Sequence, residues 1–423
     1  MSRLNPITLW NPAKTMLAAA ALWVWAQAGA TEITLTHPLT EASATRLARL
    51  VDRFNARQKG DKIILVRATA RGKPAVLNLA TADVLSDYLL KKSAYKPISR
   101  LMKETGEAAS FKPLSADLLA GQNRERLTAL PVAFGAPVLF FNKRVFRQAG
   151  LDPENPPRTW REMAEVSGKL LARGNACPYT TSWPVWVHLD NVSSIARVPV
   201  AGARNTLNFN NLVQVRHIAM LASWHKSGYF HTFGRTNEAD EEFFKGKCAM
   251  LTSNSWAHSR LRDAPGVELG VASLPYHDDT GNTPPGHTLA AGASLWVGGG
   301  YKSADYKVAA RFIRFVLSPE IQAELAQVGG FLPLTDAARQ SLRASLQYDE
   351  EYVLDVAYAS LQGKGAAQAL RISALEPVRI VVDEELEQVW GGKKTAKAAL
   401  DVAVRRGNAI LSAKPALKQA VSF

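Results

Sequence analysis

Two tryptophans three residues apart, Trp183 and Trp186, open the run Trp-Pro-Val-Trp-Val-His-Leu-Asp that ends at Asp190. If the chain is helical there, this spacing sets both indoles on one face. Paired indoles can pack on the apolar face of a sugar or polyol, or wall a small-solute cleft. Spacing alone favours the plainer reading, two core residues. Chemistry of the enzymatic kind finds less support. The chain has no HExxH, no GxSxG and no GxxxxGK[ST]. Its Gly391-Gly392-Lys393-Lys394-Thr395 echoes only the end of a phosphate loop, without the leading glycine and spacing. Glu384-Glu385 and Asp278-Asp279 are adjacent pairs, and helix neighbours do not face each other. The 8 histidines are scattered with no close pair at ligand spacing. His225 and His231, six apart, read as separate solvated or satisfied rings, so no metal and no cofactor are expected.

The elements that must position these residues alternate. Ile33-Thr34-Leu35-Thr36 reads as a half-buried strand, Leu47, Leu50, Val51 and Phe54 as one helix face, and Lys62 to Ala68 as a β-branched strand. Further on, Val308, Phe312, Phe315 and Val316 form a helical stripe. It stops at Ser318-Pro319, where Ser can cap and Pro can open the next helix. A helix through Leu386, Val389 and Trp390 ends at Gly391-Gly392. The run from His277 to Gly286 (HDDTGNTPPG) is polar and turn-forming, a surface connection. Strand and helix in alternation argue for an α/β fold with mostly parallel sheets.

Composition fits that reading. The 423 residues carry 51 Lys and Arg against 37 Asp and Glu, a net of +14, with 47% hydrophobic and 21% charged residues. At roughly 150 residues per domain, two or three domains are expected, and disordered or collagen-like chains are excluded. Residues 1–30 read as a secretory signal: Arg3 and Lys14, the apolar run Met16–Ala26, and Ala28-Gly29-Ala30 before the cut. The apolar run falls short of the ~20 residues of a membrane span. Removing it, with Arg3 and Lys14, leaves 393 residues at +12 and no lipid-accepting cysteine at the new terminus. The expected location is the periplasm. There Cys177 and Cys248, each opening an apparent strand, either close into one disulfide or stay two buried thiols.

Several blocks resemble a known family: Pro137–Lys143 (PVLFFNK), Ala149–Trp160 (AGLDPENPPRTW), Gln214–Leu221, Gly246–Met250, Gly292–Val297 (GASLWV), Phe331–Thr335 (FLPLT) and Arg379–Thr395 (RIVVDEELEQVWGGKKT). In order and over roughly residues 31–411, they are similar to the periplasmic glycerol-3-phosphate-binding proteins of ABC importers. The resemblance implies a two-lobed periplasmic binding protein fold of type II. Residues 31–136 and 288–332 would form the N-terminal lobe, and 137–287 and 333–423 the C-terminal lobe. The hinge would cross near Phe134–Val138, before His287 and near Phe331–Thr335.

The resemblance also implies a ligand set. Trp183 and Trp186 match the family's tryptophan pair, Gly292 its cleft glycine, and Arg379 the arginine that meets phosphate. Asn254 and Ser255 stand where the family has two serines, and Phe331 where it has a tyrosine, so one hydroxyl-bearing contact is lost outright. Phe134-Gly135 also replaces two serines. Between Val66 and Pro74 most of a segment that begins with a ligand tyrosine is missing, and near Ala80-Thr81 the family's Tyr-Glu pair is replaced. The implied function is a monomeric, non-enzymatic receptor that delivers a small polar solute, a phosphorylated glycerol or a glycerophosphodiester, to an inner-membrane permease. Another polyol or sugar is the alternative, and an exported hydrolase is a third reading. Nucleic-acid binding is not expected, because the run Lys393, Lys394, Lys397, Arg405, Arg406, Lys414 and Lys418 reads as a solvated helix face and tail.

Overall fold

Among the described residues, eleven strands divide between two sheets. β1 (Glu32–His37), β2 (Lys62–Arg67), β3 (Leu77–Thr81), β4 (Tyr95–Lys96) and β5 (Leu130–Gly135) belong to the first. β6 (Pro137–Asn142), β7 (Tyr179–Thr181), β8 (Phe230–His231), β9 (Met250–Asn254) and β10 (Leu269–Ser273) form the second, and β11 (Ala291–Gly298) returns to the first. The computed structural model describes residues 30–39, 41–68, 74–81, 94–108, 127–202, 206–278, 286–344, 348–362 and 375–413. The signal segment 1–29, most of the altered first-lobe segment after Ala68, and the basic tail with Lys414 and Lys418 lie outside the described residues.

The first sheet runs β2-β1-β3-β11-β4, with β5 also on β11. β1 is parallel to β2 and β3, whereas β11 is antiparallel to β3, β4 and β5. The second runs β10-β6-β9-β7-β8. Its β6 is antiparallel to β9 and β10, and β7 is parallel to both neighbours. Every residue of β6 is buried, as a central strand covered on both faces requires. The α/β reading of the sequence therefore holds, with two mixed sheets instead of mostly parallel ones.

Helices cover the sheets as their apolar faces dictate. The Glu41–Ala56 helix buries Leu50, Val51 and Phe54, and Phe54 meets Phe312 edge to face at 5.2 Å. The Trp160–Ala172 helix opens on a capping box from Thr159 and Glu162. Pro319 sits in the first turn of the Pro319–Gly329 helix as expected, but the Ser318 side chain makes no cap hydrogen bond. The Leu375–Trp390 helix packs with Ala396–Ser412 over Leu212–Lys226, on the second sheet's side.

The chain passes between sheets through one residue, Ala136, which separates β5 from β6. It returns between Ser273 and Ala291, and leaves again after Gly330, whose left-handed φ of 68° ends the preceding helix.

Candidate functional site

Strand register brings two sheet edges to that crossing. In the first sheet Thr81 pairs with Ala293 and Gly135 with Ala291, so the ends of β3 and β5 and the start of β11 share an edge. In the second, Pro137 pairs with Asn254, Val138 with Ser273 and Thr181 with Thr252, which puts the ends of β7, β9 and β10 beside the start of β6. These are the carboxyl ends of the parallel strands, where open α/β sheets take their ligands.

Several elements at this edge carry residues singled out by the sequence. Trp183 and Trp186 follow β7, Asn254 ends β9 with Ser255 next to it, Gly292 lies at the start of β11, and Phe331 follows Gly330.

The tryptophans join one apolar cluster, though not as two turns of one helix. Trp183 lies just before the helical segment in the left-handed region, with φ 53°. Its N–H donates to Thr236 O at 2.7 Å and its carbonyl accepts from Val187 N at 2.9 Å. On its other side the Ser182 hydroxyl donates to Asp240 Oδ1 at 2.6 Å, and burial raises the Asp240 carboxyl above the usual range. A non-glycine residue held at positive φ is a feature of functional sites. Trp186 begins a π-helix, Trp186–Asn191, all of it buried. Both indoles join a small cluster with Val187, Leu274 and Ala291, the last from the opposite sheet. Trp183 Nε1 is buried and makes no hydrogen bond.

Arg379 reaches this π-helix from the Leu375–Trp390 helix. Its Nη2 donates to Asp190 Oδ2 at 2.9 Å, with the Asp190 side chain 7% exposed. No local spacing points to that partner, because the two residues are 189 apart. One turn along the helix, burial pushes Asp383 up to about 7, against the pull of Arg235. Arg235 itself is held by Glu387 through two bonds of 2.6 and 2.7 Å.

Asn254, Ser255 and Gly292 form a second group, at the crossing. Ser255 N donates to Ala136 O at 2.7 Å, and Ser255 Oγ accepts from Ala136 N at 3.1 Å. Both Asn254 and Ser255 are almost fully buried. A methyl on Gly135 would lie 1.9 Å from Asn254 Oδ1, so a side chain there would force the Asn254 amide to move. Gly292 has φ 156°, and a methyl on it would meet Ala133 O at 1.9 Å. Phe331 sits apart from the tryptophan pair, its ring 5.9 Å from that of Trp256. A cavity of about 30 Å³ lined by Ser255, His258 and Gly330 among others has room for a water or two and is too small for a solute.

One expectation changes and one open alternative closes. Three of the histidines that are scattered in sequence, His188, His217 and His277, come together in one hydrogen-bonded line. The tertiary fold joins what spacing could not. The cysteines are bonded: Cys177 and Cys248 form a disulfide with Cα atoms 4.5 Å apart, two residues before β7 and β9. Glu384 and Glu385 are structural, both held by Arg406, with Lys394 also on Glu385. Among the described residues no group of three or more His, Cys, Asp or Glu could hold a metal.

Residues 49–352 match the family described as bacterial extracellular solute-binding protein. The sn-glycerol-3-phosphate-binding periplasmic protein UgpB of Pectobacterium atrosepticum is 34% identical over 94% of this chain and 95% of its own length. The protein of that name from Escherichia coli O6:K15:H31 is also 34% identical, over 95% of this chain and 98% of its own. Among solved structures, UgpB from Mycobacterium tuberculosis in complex with glycerophosphocholine superposes with a TM-score of 0.72 at 20% identity, covering 90% of this chain and 99% of that one. The cyclic alpha-maltosyl-1,6-maltose binding protein from Arthrobacter globiformis does so with 0.71 at 19% identity, covering 90% and 99%. These structures share the two-lobed type II fold. The chain belongs to the bacterial extracellular solute-binding proteins.

Proposed function

We propose that this protein is the periplasmic receptor of an ABC importer that captures sn-glycerol 3-phosphate, or a related glycerophosphodiester, by closing two lobes on it. The observation that carries the reading is Arg379, anchored by Asp190 beside the tryptophan pair at the edge where the sheets meet. A guanidinium presents a planar fork of donors that matches phosphate oxygens. Asp190 holds one arm of the fork and so sets its plane. Trp183 and Trp186 supply an apolar wall for the glycerol carbons, and the buried Trp183 Nε1 supplies a donor. The relatives named for sn-glycerol 3-phosphate support the same chemistry.

The lobes of this reading are residues 31–136 with 288–332, and 137–287 with 333–423. Solute bound to one lobe favours closure because only the closed state makes contacts from both sides. Asn254 and Ser255, buried against Gly135 and Ala136, fix the first crossing, and Gly292 brings backbone close to the cleft. A permease would take the closed form. The protein is read as a receptor without turnover, acting as a monomer.

Intrinsic tryptophan fluorescence tests the ligand. Glycerol 3-phosphate and glycerophosphocholine should change emission saturably, and maltose should not. A response to maltose alone would favour the sugar reading. Release of glycerol 3-phosphate from glycerophosphocholine by the pure protein would contradict the receptor assignment.

A further inference from the structure

Three histidines from three elements form a line through the second core. His188 Nδ1 lies 3.0 Å from His217 Nε2, and His217 Nδ1 lies 3.1 Å from His277 Nε2. At the inner end His188 Nε2 is 3.2 Å from Tyr179 Oη, which is 2.8 Å from Thr252 Oγ1. The Trp160 ring packs on all three imidazoles, with centroids 5.5, 4.8 and 6.4 Å away.

Proton bookkeeping fixes the direction of the line. A carbonyl only accepts, so the Thr181 hydroxyl donates to Ser182 O. Thr252 then donates to Thr181 at 2.9 Å, and Tyr179 donates to Thr252. Having used its one proton, Tyr179 accepts from His188 Nε2–H. His188 Nδ1 therefore accepts from His217 Nε2–H, and His217 Nδ1 from His277 Nε2–H. Burial keeps the inner rings neutral: it pushes His188 down to about 3 and His217 well below the usual imidazole range.

The line ends on the π-helix that carries the site. Residues four apart on a helix share a face, and those two apart do not. Trp186 and Asp190 thus share one face, and His188 lies on the other. We propose that His188, held by Tyr179 and His217, is a positioning residue for solute binding: it sets the rotation of the π-helix, and with it Asp190 and Arg379, without touching the solute. The consequence for affinity rests on the proposed anion site. Asn191 adds an independent tether, donating to Trp186 O at 2.9 Å and accepting from Leu289 N at 2.7 Å, so the loss should be partial.

Two substitutions separate hydrogen bonding from bulk. His217→Phe keeps a ring and removes both nitrogens, whereas His217→Gln keeps a donor near the position of Nε2. The measurements are glycerol 3-phosphate affinity by calorimetry and hydrogen exchange over residues 186–192 in the solute-free protein. His217→Phe should weaken binding about tenfold and speed exchange in that segment, and His217→Gln should restore both to within about twofold of the parent. Equal behaviour of the two variants, unchanged or equally impaired, would overturn the proposal. If the parent gives no heat with glycerol 3-phosphate, the anion reading fails, and the exchange contrast alone still decides the positioning role.

Discussion

Arg379 does two jobs at once, and that changes what its removal should do. Seen as a lone phosphate ligand, it should be dispensable for folding. Paired with the buried Asp190, it is not, because truncation leaves a carboxylate in the protein interior without its cation. Breaking such a pair costs about 3–5 kcal/mol. Arg379→Ala should therefore lower the unfolding temperature as well as weaken glycerol 3-phosphate binding by about 100-fold. Calorimetric titration and a melting curve on the same sample check both halves. Asp383 makes a pH prediction. Its carboxyl is raised to about 7 chiefly by burial, so the folded state binds a proton that the unfolded chain, at an ordinary aspartate value, has released. Stability from this group falls as pH rises from about 4 to 7. Asp383→Asn, which mimics the neutral acid, should melt higher than the parent at pH 8 and alike at pH 4, as thermal scans across that range would show. At this scale the sequence was legible in part. The block around Arg379 pointed to the arginine, but Asp190 and the histidine line are pairings across long stretches of chain, and no local spacing encodes them.

Strands and helices were more readable, because their signals are local. The β-branched run at Lys62, the apolar stripe at Val308 and the double glycine after Trp390 all mark elements where they were expected. Two features escaped. The π-helix at Trp186 and the left-handed Trp183 arise from tertiary hydrogen bonds, to Thr236 and within the following turn, that override local preference. The disulfide was an even choice on sequence and follows from strand adjacency, since β7 and β9 run side by side. Its loop spans 71 residues, which in the chain-entropy treatment contributes about 4 kcal/mol. Cys177→Ser should lower the melting temperature while leaving the solute affinity within about threefold, because the bond lies at the opposite end of β7 from Trp183. Alkylation before and after reduction, read by mass spectrometry, reports the bond directly.

For the molecule as a whole, composition indicated an α/β protein of more than one domain, and only the family resemblance supplied lobes. Register supports the proposed place of the solute between them: two sheets present their strand ends to the same one-residue crossing at Ala136. Solute identity is the least legible part, because near Ala80-Thr81 and at Phe134-Gly135 the first lobe departs from the family it resembles. The net charge of +14 attracts anions in general and selects none. The most direct test is calorimetric titration of the exported protein with sn-glycerol 3-phosphate at neutral pH. The account predicts one saturable site per chain at micromolar or lower concentration, weakened about 100-fold in Arg379→Ala. No heat at millimolar solute, or binding that survives Arg379→Ala unchanged, would contradict it.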